Sequence, residues 1–138
     1  MFKFPYGNSD FYKISTENYC YIDRTDRIPL LEAMGDSLLF LRLRRFGKSL
    51  LLTMLENYYD IAKAAEFERL FGALAVGGNP TPLHSQYLVM RWDFSIVTPK
   101  PTYEAQARVL TDYLNVEITN SGRSYMRYSR VTINSICL

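Results

Sequence analysis

The chain has 138 residues, 48% hydrophobic and 14% aromatic, which is enough apolar material for one core and too much for a disordered chain. Its formal net charge of +2 sets up no bulk field that would call for a nucleic-acid partner. Cys20 and Cys137 stand too far apart for a metal or redox spacing, no apolar run approaches the length of a membrane span, and Met-Phe-Lys-Phe-Pro is not a secretory leader, so a soluble, cytoplasmic, non-membrane protein is expected.

In chain order, "YCYIDRT" (19–25) alternates aromatic and polar residues and reads as a short strand or an extended lead-in. Thr25 is placed to cap a helix through about Met34, with Pro29 in its first turn and Gly35 at its end. "SLLFLRL" (37–43) is short and apolar, the pattern of a buried strand. From Lys48 the period becomes helical: Leu51, Leu55, Tyr58 and Ala62 recur at steps of three and four, giving a helix to about Tyr59 or Ile61. Tyr58 and Tyr59 are expected in core and rim packing. A second short helix covers "AAEFERLFG" and closes at Gly72, and "GGNPTP" (77–82) is a loop. "YLVMRWDFS" (87–95) reads as another strand, and Thr102 caps a helix marked by Tyr103, Ala107, Leu110 and Leu114. The last twenty or so residues show no clear period, although "VTINSICL" has the composition of a strand. This order predicts an α/β layered domain with a parallel sheet over 1–138.

The segment "FLRLRRFGKS" (40–49) holds the chemistry. Arg42, Arg44, Arg45 and Lys48 crowd one turn between the expected strand and the helix. A phosphate-binding loop needs a strand feeding a tight turn, free N–H groups at a helix start and a lysine for the outer phosphates. Here Gly47 would let backbone approach phosphate, Lys48 would supply the charge, and Ser49 a hydroxyl for Mg²⁺. The pattern G-x-x-x-x-G-K-[ST] asks for glycine at position 42, where this chain has Arg42. Gly-Lys-Ser or Gly-Lys-Thr alone occurs by chance in roughly one chain in ten to twenty of this length, so the strand-turn-helix setting decides the reading. A merely basic structural turn is the alternative.

A run of segments in order resembles the bacterial AAA-ATPase-like proteins, whose longer members end in a PD-(D/E)XK nuclease-like domain. "FPYGNSDFYKI" is similar to their Pro-x-Gly-x-x-Asp-Phe opening, and "NYCYIDRTDRIPLL" to their Tyr-Val-Asp-Lys-Thr signature and following helix. "FLRLRRFGKSLLLTMLENYYD" resembles their Arg-Pro-Arg-Arg-Phe-Gly-Lys-Ser loop, in which arginine at the position of Arg42 is usual. "FERLFGAL" and "YLVMRWDFS" resemble their Leu-Phe-x-Gly-Leu and Leu-Asp-Phe-Ser segments. The resemblance is best over 1–98 and departs at Leu43, where the family usually has proline.

The resemblance implies a partial three-layer P-loop NTPase fold with a parallel sheet, with ATP and Mg²⁺ as cofactors. The Walker A loop would supply Arg44, Arg45, Phe46, Gly47, Lys48, Ser49 and Leu50 as nucleotide-binding residues, with Ser49 also the metal ligand. No aliphatic run ending in Asp-Glu occurs between Ser95 and Leu138, so the hydrolytic Walker B carboxylate looks absent. No catalytic residue is assigned, and the chain reads as the N-terminal portion of a longer ATPase. A nucleic-acid partner is implied only through a nuclease-like domain that this chain lacks. Asp23 and Thr25 match the family signature and stand equally as residues that lie near the nucleotide base or order the loop, and as a helix cap with a solvated aspartate. Asp93 is expected to be structural, and His84 is not expected to be catalytic. The rival functions are a non-catalytic interaction remnant of the ATPase fold and a basic nucleic-acid binder using Arg42, Arg44, Arg45 and the tail (Tyr125, Arg127, Tyr128, Arg130).

Overall fold

A computed structural model describes residues 3–35 and 37–128, with the Arg127 side chain excepted. The chain forms two compact units, Met1–Leu88 and Val89–Leu138.

The first unit is built from four helices: α1 (Phe11–Thr16), α2 (Ile28–Ala33), α3 (Lys48–Tyr59) and α4 (Phe67–Phe71). Asp10 caps α1 by accepting a hydrogen bond from Lys13 N–H. Where α1, α3 and α4 meet, Phe11 stacks on Phe71 with ring centroids 5.0 Å apart, and Tyr58 meets Phe71 edge-on at 5.4 Å. All three rings are fully buried, each stabilising by about 1.5–3 kcal/mol. The helical step of Leu55 and Tyr58 thus buries one face of α3, as its period predicts.

Asp60 ends α3 by turning extended, and its carboxylate accepts from Ala62 N–H at 2.9 Å to start the 3-10 turn Ile61–Glu66. The carbonyls of Tyr58 and Tyr59, left over at the helix end, accept from Ser85 and Tyr87 N–H, both at 2.9 Å. The 77–82 loop is tied down by polar groups: Thr81 N–H donates to Tyr58 Oη at 2.8 Å, and the hydroxyls of Thr81 and Tyr59 both donate to Glu32. Gly77 is required at its place, because a Cβ there would overlap the Phe71 carbonyl oxygen.

The expected parallel sheet is not there. The described residues contain no β-strand; isolated parallel bridges join Lys3 to Tyr19 and Asp60 to Tyr87. Residues 37–43 do not form a helix either; they run irregularly with Leu39 84% and Leu41 78% exposed. Apolar composition cannot by itself make a strand, since the ladder hydrogen bonds must come from another segment. Residues 19–25, read as a short strand or extended lead-in, and 87–95, read as a strand, hold only isolated bridge residues, Tyr19, Tyr87 and Met90, and form no ladder. The α/β expectation is therefore corrected: this chain is a mostly helical structure.

In the second unit, α5 (Tyr103–Tyr125) starts at Thr102, whose hydroxyl accepts from Ala105 N–H at 3.3 Å. It runs 23 residues, through a stretch in which the sequence shows no clear period. A 3-10 turn, Met126–Tyr128, follows. Tyr125 Oη–H donates to the Val89 carbonyl at 3.0 Å, and Asp93 N–H to Tyr113 Oη at 2.9 Å. "VTINSICL" lies outside the described residues.

Candidate functional site at the start of helix α3

Gly47, with φ of +75°, turns the chain into α3 in a left-handed conformation that glycine adopts without penalty. Two residues earlier Arg45 also has positive φ, +67°, a conformation that costs a side-chain-bearing residue about 1–2 kcal/mol. The first main-chain bond of α3 runs from Leu51 N–H to Gly47 O at 2.9 Å, and no side chain caps the helix. The N–H groups of Lys48, Ser49 and Leu50 precede that bond and lie at the positive end of the helix dipole.

Lys48 reaches back over its own loop. Its ammonium donates to the carbonyl oxygens of Arg42 and Leu43, the latter at 3.0 Å. The turn thus wraps around the lysine and fixes the charge at the mouth of the helix. An ammonium has three donors, so one is left for a ligand beyond these two carbonyls.

A cavity of about 740 Å³ opens beside this turn, within the about 300–1,000 Å³ typical of small-molecule sites. One wall is Arg44, Arg45, Gly47, Lys48, Ser49 and Leu50. The other is the N-terminal turn 5–9. Among the described lining residues three are cationic and none is acidic, so the cavity attracts anions. Of the seven residues expected here, six line the cavity together. Phe46 does not; its ring is exposed elsewhere on the turn.

Neither the opposite wall nor the residue that holds it lies in the phosphate-loop motif of the sequence. Thr53 Oγ1–H donates to Ser9 O at 2.7 Å, and Phe11 N–H donates to Thr53 Oγ1 at 3.2 Å. The only signal was a threonine five positions after Lys48, on the face of α3 that also carries Ser49, Glu56 and Asn57.

Asp23 and Thr25 do not line the cavity. Thr25, fully buried, donates its hydroxyl to Asp23 Oδ1 at 2.7 Å and accepts from Val76 N–H at 3.1 Å. Asp23 Oδ2 accepts from Ala75 N–H at 2.7 Å. The pair therefore latches the turn after α4, and Thr25 does not cap α2 as a helix N-cap would. Burial pushes the Asp23 carboxyl up, but hydrogen bonds from Thr25 N–H, Ala75 N–H and the Thr25 hydroxyl together outweigh it and hold it below the usual carboxylate range. Asp93 is likewise structural: its carboxylate accepts from the Ser95 hydroxyl at 2.6 Å and Ser95 N–H at 3.0 Å, and these bonds lower its pKa. His84 packs its ring 4.7 Å from Phe67 and uses Nδ1 on the Thr81 carbonyl.

A family model described as a predicted AAA-ATPase, the AAA-ATPase-like family, matches residues 5–135. No curated protein and no solved structure matches the chain. The family match spans nearly all of the sequence, including both walls of the cavity, and the chain belongs to the AAA-ATPase-like family.

Proposed function

We propose that this member of the AAA-ATPase-like family binds ATP with Mg²⁺ in the cavity at the start of α3. One observation carries the reading: three cationic side chains, with no carboxylate among the described lining residues, surround a helix start whose first N–H groups have no main-chain partner. That is the chemistry of a phosphate cradle. Lys48 would share its ammonium between the loop carbonyls and the outer phosphates, and Arg44 and Arg45 would meet phosphate oxygens with forked donors. Leu50 would contribute only its N–H.

The residues fit a magnesium ion as well. Mg²⁺ takes most of its ligands from phosphate oxygens and water, so the single exposed Ser49 hydroxyl on the wall supplies a reasonable protein share. Bound there, the ion would neutralise phosphate charge. The chain's own residues account for binding and orienting the triphosphate, and none is assigned to its cleavage. A site for ATP also goes with a cytoplasmic location. Among the described residues no helix is long and apolar enough to cross a membrane.

Thermal unfolding with and without MgATP tests the reading. A ligand held at about 100 times its Kd stabilises by about 2.7 kcal/mol, enough to raise Tm by several degrees. The wild type should show that rise, and an Arg44→Ala/Arg45→Ala double variant should lose most of it. An unchanged wild-type Tm at millimolar MgATP would overturn the assignment.

A further inference from the structure

We infer that the turn of residues 5–9 is the nucleoside-recognising wall of this cavity, with the Tyr6 ring as its stacking surface and Thr53 as the residue that positions it. The inference rests on the phosphate reading above and adds to it what holds the rest of the ligand.

The two walls differ in chemistry. The α3 wall is cationic, whereas the facing turn, Pro-Tyr-Gly-Asn-Ser, carries no charge. A triphosphate chain needs only the first wall and fills only part of a 740 Å³ cavity. The remaining space is bordered by an aromatic ring, a proline and short polar groups, which suit a flat heterocycle and a ribose.

Tyr6 is 95% exposed. Other apolar side chains are also exposed, but among the described lining residues Tyr6 is the aromatic one. Its ring faces are not spent on the core, as those of Phe11, Tyr58 and Phe71 are. A base stacked on such a ring gains about 1–3 kcal/mol. A purine offers the larger face and is the expected ligand.

The turn is also pre-shaped. Tyr6 N–H donates to Phe4 O at 2.9 Å, Asn8 N–H to Pro5 O at 3.2 Å, and Asp10 N–H to Asn8 Oδ1 at 3.0 Å. Gly7 supplies the positive φ, +71°, that this path requires. Thr53 then ties Ser9 and Phe11 to α3, the helix that begins at Lys48. Both walls therefore hang on one helix, which sets the separation between the stacking ring and the phosphate-binding lysine.

Titration calorimetry with two probes, MgATP and magnesium inorganic triphosphate, tests this. Tyr6→Ala should weaken ATP about tenfold or more and leave inorganic triphosphate within about twofold, while Tyr6→Phe keeps both. Thr53→Val should weaken ATP several-fold with little effect on triphosphate, and Thr53→Ser, which restores the hydroxyl, should recover it. Because Tyr6 is exposed, its variants should stay folded. Wild-type binding of triphosphate as tight as that of ATP, or a Tyr6→Ala loss equal for both probes or absent for both, would overturn this inference and leave the phosphate site standing. Failure of the wild type to bind either probe would overturn both.

Discussion

Replacing Thr25 by valine keeps the shape of a fully buried side chain but removes one hydroxyl. That hydroxyl accepts from Val76 N–H and donates to Asp23 Oδ1. Val76 is itself buried, so its N–H would be left without a partner, at about 1–3 kcal/mol. Asp23 keeps the N–H donors of Thr25 and Ala75 and is partly solvated, so its share of the loss is smaller, under about 1 kcal/mol. A total near 2–3 kcal/mol should lower the Tm of a unit the size of Met1–Leu88 by roughly 10–20 °C. Circular dichroism melts of wild type, Thr25→Val and Thr25→Ser measure it, and serine should recover most of the loss. A valine variant that melts with the wild type would refute the latch. If such a variant also bound ATP more weakly, the role near the nucleotide base would replace it.

Three further outcomes follow from the same geometry. A Leu39→Lys/Leu41→Lys double variant should change the unfolding free energy from urea titration by no more than about 0.5 kcal/mol per site, because both side chains are exposed, and should reduce light scattering. A loss of about 2–5 kcal/mol per site would mean that residues 37–43 lie in a core after all. The folded-state pKa of Asp23 is lowered, so its stabilisation is complete above the unfolded value near 3.9 and is lost as pH falls through the folded value. The difference in urea midpoint between wild type and Asp23→Asn should accordingly hold from about pH 7 to pH 5 and shrink below about pH 4; a difference unchanged at pH 3 would contradict that. Glu32→Ala, which strips the acceptor shared by the Tyr59 and Thr81 hydroxyls, should cost about 1–3 kcal/mol in the same assay, and a neutral result would refute the network.

Local signals were legible where the structure is local. The period of Leu51, Leu55 and Tyr58 predicts α3, Gly72 follows α4, and the Thr102 cap marks the start of α5. The turn at Arg44–Leu50 was legible for the same reason, since the glycine, the lysine and the helix start are neighbours in sequence. What failed is what depends on distant partners. An apolar run such as 37–43 shows a need for burial but not whether another segment offers a ladder, and here none does among the described residues. Thr25 has the composition of a helix cap, yet its partner Val76 lies fifty-one positions away. The end of α5 was obscured by Asn120, Ser121 and Gly122, weak helix formers that nonetheless stay helical. The turn of residues 5–9 is tied to the α3 wall by Thr53, forty-four positions from Ser9.

Isothermal titration of MgATP into wild type and Lys48→Ala asks whether the start of α3 holds phosphate through Lys48. Losing a charged hydrogen-bond donor of about 1.5–3 kcal/mol predicts binding at least about tenfold weaker in the variant, with its far-UV spectrum unchanged. Equal affinities in the two proteins, or no binding by the wild type, would mean that Lys48 holds no phosphate here.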